Sequence, residues 1–183
     1  MSDEIFLAKE IERVLISPEQ IQSRIKELGS EISRDYANSE IVLVCILKGA
    51  FLFTSDLCRS ISVPQIMDFM AVSSYGDSTK SSGIVKIEKD LSESIEGKHV
   101  LIVEDIIDSG LTLSYIQKIL RDRNPASIKI CVLCNKPSNL KQHVKVDYCG
   151  FLLEDEFVVG YGLDYKSYLR NLPYIGVVKS EYR

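Results

Sequence analysis

Strand-length apolar runs alternate along this chain with segments of helical periodicity, and this alternation restricts the fold more than any other feature. The run IVLVCIL (41–47) contains only Val, Leu, Ile and one Cys. Such a strand is typical of a parallel sheet that is covered on both faces, because a strand with one face in water alternates apolar and polar residues. The pattern predicts an α/β fold with a mainly parallel sheet flanked by helices.

The other elements follow from the same two periodicities. In SPEQIQSRIKELGSEI, Ser17 and Gln20 form a capping-box pattern around Pro18, which predicts a helix over 17–32. The other predicted helices are 49–60 and 112–124, and the other predicted strands are 65–75, 84–90, 99–104 and 127–134. The later part of the chain is predicted to hold shorter strands and turns in a smaller subdomain. A length of 183 residues suits a single domain.

Charge and hydropathy narrow the set of partners. The net charge is −4, so no basic excess favours nucleic acid or an anionic membrane. The apolar run 41–47 is much shorter than the roughly 20 residues that span a bilayer. The acidic segment MSDEIFLAKEIERV lacks a signal-peptide core. We expect a cytoplasmic protein that binds neither nucleic acid nor a membrane.

The five cysteines, an odd number without framework spacing, are expected to be reduced thiols. Cys131 and Cys134 match the C-x-x-C spacing of metal and redox sites. They stand in a predicted strand, SIKICVLC, where residues three apart point to opposite faces. A place in the core is therefore favoured over zinc or redox chemistry.

Three carboxylates stand close together where the apolar run VLIV leads into EDIIDSGLT. Glu104, Asp105 and Asp108 repel one another unless a cation or hydroxyl groups occupy the space among them. Polar segments also follow two other predicted strands, LKGA after 41–47 and NKP after 127–134. Ligands of parallel sheets bind at the carboxyl ends of the strands, so these three segments predict a ligand site.

The segment DSGLT places two hydroxyl groups and a glycine immediately before a predicted helix. Amide groups at the helix start, with Ser109 and Thr112, would cradle a phosphate, and Gly110 has no side chain to block its approach. Glu104 and Asp105 would accept hydrogen bonds from sugar hydroxyls or hold hydrated magnesium. A ribose 5-phosphate satisfies both demands. The alternative is a helix capped by Ser109 or Thr112 with solvated acids beside it.

The segment VLIVEDIIDSGLT resembles the phosphoribosyl pyrophosphate (PRPP) signature of type I phosphoribosyltransferases. The segments ILKGAFLFTSDL, VSSYGDST, NKP and FVVGYGLDYKSYLRNLPYIGVV are similar to the hypoxanthine-guanine branch in its short bacterial form. The resemblance runs in matching order from about Ile41 to Val178. It implies the type I phosphoribosyltransferase fold, with a hood formed by parts of about 1–20 and 146–183. It also implies transfer of a phosphoribosyl group from PRPP to a 6-oxopurine base by a homodimer or homotetramer.

The same resemblance implies the residues that hold PRPP. Glu104 and Asp105 match the residues that bind the ribose hydroxyls and Mg²⁺, and Asp164 matches a further magnesium ligand. The residues implied to hold the 5′-phosphate are Asp108, Ser109, Gly110, Leu111 and Thr112. The residues implied to contact pyrophosphate are Lys48, Gly49, Ser74, Tyr75 and Arg170, with a cis peptide before the lysine.

The purine contacts are implied in the same way. Asp108 matches the hydrogen-bond partner of purine N7 and is the candidate catalytic base. Lys136 matches the donor to the 6-oxygen, Phe157 stacks on the base, and the Val158 backbone meets its Watson–Crick edge. Asp164 is assigned to the purine site as well as to the metal.

Each of these residues has an ordinary alternative when it is taken singly. The alternatives are a surface lysine at Lys48, a helix-end cation at Arg170, core packing at Phe157 and Val158, and a helix cap at Asp164. Their joint occurrence in order favours the site.

The segment SSYGDSTKSSG is predicted to be a lid that excludes water, with Gly76 and Gly83 as hinges, or else a disordered surface loop. Two other functions stay open. A PRPP-binding regulator reuses the signature but adds a DNA-binding domain or a basic RNA-binding face, whereas this sequence has no basic excess. A phosphoribosyltransferase for another base, such as xanthine, is the nearer alternative, and enzymes for adenine, orotate or uracil lack the NKP lysine in this arrangement.

Overall fold

The structure, a computed structural model, describes residues 8–74 and 85–182, with the backbone alone at 8, 74 and 85. Its strands are β1 (Ile11–Ile16), β2 (Ile41–Leu47), β3 (Gln65–Ser74), β4 (Val85–Lys89), β5 (His99–Ile107), β6 (Ser127–Asn135), β7 (Tyr148–Leu152), β8 (Val158–Val159) and β9 (Ile175–Val178). Its α-helices are α1 (Pro18–Asp35), α2 (Phe51–Ser60) and α3 (Leu111–Arg121).

The larger sheet has six strands in the order β4-β3-β2-β5-β6-β7. All neighbouring strands pair in parallel except β3 and β4, which are antiparallel. The predicted α/β fold with a mainly parallel sheet is therefore confirmed. β2 and β5 lie at the centre of this sheet, which explains why their apolar runs are nearly continuous.

Different helices cover the two faces of the larger sheet. In β2, Ile41 and Leu43 pack in one apolar cluster with residues of α1 and α2. Val42 and Val44 pack in a second cluster with residues of α3. Because successive strand residues point to opposite faces, both faces of β2 require apolar side chains.

The helix α1 begins as the sequence predicts. Gln20 N donates to Ser17 Oγ at 3.3 Å, and Ser17 N donates to Gln20 Oε1 at 2.8 Å, which completes the capping box. The helix continues three residues past the predicted end, to Asp35. Among the described residues, no helix is long and apolar enough to cross a membrane.

A second, three-stranded sheet is made from residues of the predicted hood. β1 and β8 each pair antiparallel with β9, so the order is β1-β9-β8. Val159 and Val178 pack there with Leu169 and Leu172 in a separate apolar cluster. This sheet holds β8, and with it the residue Phe157, beside the larger sheet.

The strand β5 extends to Ile107, three residues beyond the predicted end at 104. Ile106 and Ile107 pair with Cys134 and Asn135 of β6, so tertiary pairing continues the strand through its acidic residues. Asp105 therefore lies within the strand, next to Glu104, and not in the turn after it.

The C-x-x-C pair consists of free, buried thiols. Burial raises the pKa of both Cys131 and Cys134, which suppresses the thiolate that metal or redox chemistry requires. Both residues belong to the same apolar cluster, so burial, more than separation to opposite faces, keeps them unreactive.

Candidate active site

Parallel pairing brings the carboxyl ends of β2, β5 and β6 to one edge of the larger sheet, at Leu47, Ile107 and Asn135. A cleft of about 250 Å³ opens at this edge. Its lining residues are Asp105, Ile106, Asp108, Lys136, Phe157, Val158, Leu163 and Asp164. The cleft thus combines residues of the VLIVEDIIDSGLT, NKP and FVVGYGLDY segments.

Asp105, which lines the cleft, has a second carboxyl residue, Glu104, as its neighbour in β5. Asp105 is 9% exposed, and its Oδ1 accepts a hydrogen bond from Ile106 N at 2.7 Å. Asp105 N donates to Glu104 Oε1 at 3.1 Å. Burial raises the pKa of the Glu104 carboxyl well above its usual value, and the negative charge of Asp105 raises it further. Hydroxyl donors or a divalent cation would stabilise this pair in the ionised form.

The loop after β2 packs directly against Asp105. A Cβ atom at Gly49 would lie 1.6 Å from Asp105 Oδ2, so no side chain fits there. Gly162 packs in turn on Gly49: at a φ of +100°, its Cβ would lie 2.1 Å from the Gly49 carbonyl oxygen. The peptide Leu47–Lys48 is cis, as the resemblance implied. The loop after β2 and the loop after β8 therefore meet at two glycines beside a buried carboxylate.

The predicted phosphate loop ends at the N-terminus of α3. Gly110 is the N-cap residue, in the left-handed conformation with φ 75°, and contributes no side-chain cap. The nearest hydroxyl contact is long, 3.5 Å from Leu111 N to Ser109 Oγ. The first amides of a helix have no intrahelical acceptor and can bind an anion. A cavity of about 130 Å³ there is lined by Ile106, Ile107, Asp108, Ser109, Gly110, Thr112 and Leu113.

The other wall of the cleft offers a buried cation and an aromatic ring. Lys136 is 8% exposed, and its backbone N donates to Ile107 O at 2.9 Å, which fixes the end of β6 to the end of β5. Phe157 is 39% exposed and contacts Tyr165 edge to face, with ring centroids 5.8 Å apart. Val158 is buried and begins β8. This arrangement provides a hydrogen-bond donor and a stacking surface for a flat polar ring.

Arg170 closes the loop between β8 and β9. Its Nη1 donates to Gly162 O at 2.6 Å, and its Nη2 pairs with Asp164 Oδ1 at 2.6 Å. Asp164 Oδ2 accepts a hydrogen bond from Ser167 N at 2.7 Å. No α-helix follows Asp164 in the described residues, so the helix-cap alternative is wrong. The loop carries Asp164 into the cleft as an ion-paired carboxylate.

Of the remaining predicted pyrophosphate residues, Lys48 is not among the residues that line the cleft. Lys48 is exposed beside it. Ser74 ends β3, and its backbone pairs with Val85 of β4. Tyr75 and the rest of the predicted lid lie outside the described residues.

Sequence reasoning missed three residues of the site. Ile106 and Leu163 line the cleft. A longer β5 would have pointed to Ile106, and Leu163 stands inside the segment FVVGYGLDY. Asn139 donates hydrogen bonds to the carboxylates of Asp108 and Asp155. Local sequence gives no signal for it, because its partners lie far along the chain.

A mainly parallel sheet with paired acids and a helix N-terminus at the carboxyl ends of its strands is typical of proteins that bind a sugar phosphate. Residues 17–166 match the family model described as phosphoribosyl transferase domain. The chain belongs to this family.

Named relatives agree with that assignment. Over 170 residues the chain is 55% identical to the hypoxanthine-guanine phosphoribosyltransferase of Bacillus subtilis (strain 168), which covers 93% of this chain and 94% of that protein. It is 50% identical over 175 residues to the protein of the same name from Mycobacterium tuberculosis (strain ATCC 25618 / H37Rv), covering 92% and 87%. A crystal structure of a hypoxanthine phosphoribosyltransferase from Staphylococcus aureus matches with a TM-score of 0.94 at 45% identity, covering 98% of each chain.

Proposed function

We propose that this chain transfers the 5-phosphoribosyl group from PRPP to N9 of hypoxanthine or guanine, giving IMP or GMP and pyrophosphate in purine salvage. One observation carries the proposal. Asp108 lines both the cavity at the start of α3 and the cleft that contains Lys136 and Phe157. A phosphate in the first and a purine in the second would have a ribose between them.

PRPP would bind with its 5′-phosphate on the amides at the start of α3, held by the segment from Asp108 to Thr112. Gly110 allows the phosphate to approach the backbone because it has no side chain. The ribose hydroxyls would donate hydrogen bonds to Glu104 and Asp105. The pyrophosphate would extend toward Gly49 and the exposed Lys48, with Arg170, Ser74 and Tyr75 as its further contacts.

The acidic residues fit a magnesium ion. In the described ranges, no three His, Cys, Asp or Glu side chains converge as a ready-made metal site. Magnesium is usually held by one or two carboxylates together with substrate oxygens and water, so the neighbouring pair Glu104 and Asp105 suffices. Asp164 would be a third ligand through lone pairs left free by its present partners. A bound magnesium ion supplies positive charge against the charge of the departing pyrophosphate.

The purine would stack on Phe157, with the Lys136 amine donating to its 6-oxygen and the Val158 backbone meeting its Watson–Crick edge. N9 forms the new bond to C1 of the ribose, while the bond from C1 to pyrophosphate breaks and its electron pair leaves with the oxygen. Asp108 would accept a hydrogen bond from N7–H and take up the proton that the purine loses. Lys136 and Phe157 favour transfer over a purely regulatory function, because PRPP binding alone does not require a purine site.

The proposal has further parts. The chain would be a single domain over 1–183 with the hood from about 1–20 and 146–183, and its second sheet supports this division. It would act in the cytoplasm as a homodimer or homotetramer, which analytical ultracentrifugation would test. The segment from Ser74 would close over the site and exclude water from the reacting ribose.

Base selectivity tests the proposal. The wild type, Lys136→Ala and the surface control Lys145→Ala are assayed with PRPP and hypoxanthine, guanine, xanthine and adenine. Lys136 has three donors and no acceptor, so it matches a 6-oxo group and leaves an unpaired buried cation against a 6-amino group. We expect the wild type to prefer 6-oxopurines over adenine by a factor on the order of 10⁴. Lys136→Ala should lose efficiency with hypoxanthine and narrow this ratio, whereas Lys145→Ala should behave as wild type.

Two outcomes contradict different parts of the proposal. A wild type that binds PRPP but transfers its phosphoribosyl group to none of these bases would exclude the transferase function. An unchanged ratio in Lys136→Ala would remove Lys136 from base recognition and leave the transferase function intact.

A further inference from the structure

A single side-chain amide connects three segments that build the cleft. Asn139 Nδ2 donates to Asp108 Oδ1 at 2.8 Å and to Asp155 Oδ1 at 2.8 Å. Asp108 stands in the loop before α3, and Asp155 stands two residues before the ring of Phe157. Asn139 itself ends the short turn that follows Lys136. One amide group thus links the segments that carry Asp108 and Phe157 to the turn that follows Lys136.

The chemistry of this contact suits an amide and not a carboxylate. The Nδ2 group carries two protons, and each of the two aspartates can accept one. Asp108 and Asp155 are both exposed and have like charges, so without a donor between them they would repel each other. The bond occupies Oδ1 of Asp108. Within the described part of the chain, Oδ2 has no hydrogen bond, which leaves it for a ligand.

The position of the contact explains why Asp108 needs support. Asp108 lines the 250 Å³ cleft and also a more open cavity of about 510 Å³, which Asn139 and Asp155 line with it. The contact therefore lies where the two spaces meet. An exposed aspartate in such a place rotates freely unless a neighbour fixes one of its oxygens, and a general base acts well only when it is held in the reactive geometry.

We infer that Asn139 is a positioning residue for the purine, which orients Asp108 toward the base and holds the segment of Phe157 at the matching distance. The inference rests on the proposed function. It predicts a role in the use of the base, whereas the binding of PRPP, which depends on Glu104, Asp105 and the amides of α3, is left largely unchanged.

Two substitutions separate this role from simple packing. Asn139→Ala removes both donated hydrogen bonds, together with the bond that Asn139 Oδ1 accepts from Ser138 Oγ at 3.3 Å. Asn139→Asp keeps the shape of the side chain but places a third carboxylate between two others. If Asn139 only filled space, the isosteric Asp would be milder than Ala. If it donates to two aspartates, Asp is the more harmful of the two. The control is Gln142→Ala, which removes an exposed side-chain amide from the same segment. In the described residues this amide has no hydrogen bond to a carboxylate.

The experiment is steady-state kinetics with hypoxanthine and PRPP varied in turn, together with thermal unfolding. Asn139→Ala should lower kcat/KM for hypoxanthine by about 10- to 100-fold, the factor expected for a hydrogen bond to a charged group. The KM for PRPP should stay within about twofold of the wild type. The kcat/KM of Asn139→Asp for hypoxanthine should be lower than that of Asn139→Ala. Adding Asp155→Ala to the Asn139→Asp variant should restore part of the loss, since it removes one of the two repelling carboxylates.

The outcomes distinguish the inference from the proposed function. An active wild type with Asn139→Asp equal to or better than Asn139→Ala overturns the positioning role and leaves the function standing. A fall in kcat/KM for hypoxanthine that is matched by an equal rise in the KM for PRPP would also overturn the positioning role, because it indicates general disruption of the site. A wild type that uses no 6-oxopurine contradicts the proposed function itself.

Discussion

Replacing Gly49 with alanine would place a methyl group against a buried carboxylate oxygen. The new Cβ would lie 1.6 Å from Asp105 Oδ2 and 2.4 Å from its Cγ, whereas ordinary contact begins at 3.4 Å. The Asp105 carboxylate must therefore retreat by about 2 Å. It is 9% exposed and bonded to Ile106 N at 2.7 Å, so the movement breaks that bond.

The expected magnitude follows from this displacement. Overpacking costs about 1–3 kcal/mol, and a hydrogen bond to a charged group contributes about 1.5–3 kcal/mol. The overpacking lowers the stability of the fold, whereas the displaced carboxylate also loses its hydrogen bond from a ribose hydroxyl group, so we expect the free energy of the transition state to rise by about 2–3 kcal/mol. This corresponds to a fall of roughly 30- to 150-fold in kcat/KM for PRPP.

The assay is steady-state kinetics with PRPP varied at saturating hypoxanthine. Gly97→Ala is the matched control: Gly97 has a φ of +70°, and a Cβ there meets nothing within 4 Å. It should lower the free energy of unfolding by about 1–2 kcal/mol and leave the kinetics unchanged. Gly49 does not have a left-handed φ, so its substitution tests space alone. A folded Gly49→Ala variant with kcat/KM for PRPP within about threefold of the wild type would refute the reasoning.

Two further substitutions test the acidic residues. Asp108→Asn keeps the volume but removes the candidate base, so turnover with hypoxanthine should fall by about 100-fold or more while PRPP binding, measured by calorimetry, is largely kept; a loss below about threefold would exclude that role. Glu104→Gln removes a carboxyl whose pKa is raised by burial. The folded state therefore binds that proton more tightly than the unfolded state, and stability falls as pH rises above the ordinary value of 4.5. Thermal unfolding in EDTA should show a higher Tm for Glu104→Gln at about pH 8, with a shallower decline from about pH 5, and equal slopes would contradict this.

Local patterns in the sequence were sufficient for most of the fold. The apolar run of β2 and the capping box at Ser17 each depend on neighbours along the chain, and both elements form as predicted. The predicted end of β5, at residue 104, was wrong because acidic residues are seldom placed inside a buried strand. In β5, the pairing of Ile106 and Ile107 with β6 outweighs the free-energy cost of placing acidic residues inside the strand.

The candidate site shows the same division. A glycine at 49 and a short loop before α3 were evident in the sequence. The atom that requires the glycine, Asp105 Oδ2, comes from another strand and could only be found in the folded chain. Asn139 gave no signal at all, because an asparagine two residues after a proline is typical of any turn and its acidic partners are brought to it by tertiary packing.

The pairing of β1 with β9 sets an order of events during synthesis. Ile11 pairs with Val178, and the entire larger sheet is translated between these two residues. Closing so long a loop costs entropy and makes this a slow contact to form. On the ribosome, β2, β3, β5 and β6 are complete while β1 still has no partner. The half of the site that is proposed to hold the ribose phosphate can therefore form first. The wall that carries Phe157 cannot form before β9 is made, because β8 pairs with β9. A nascent chain stalled before residue 175 would therefore have the proposed phosphate site but an incomplete proposed purine site.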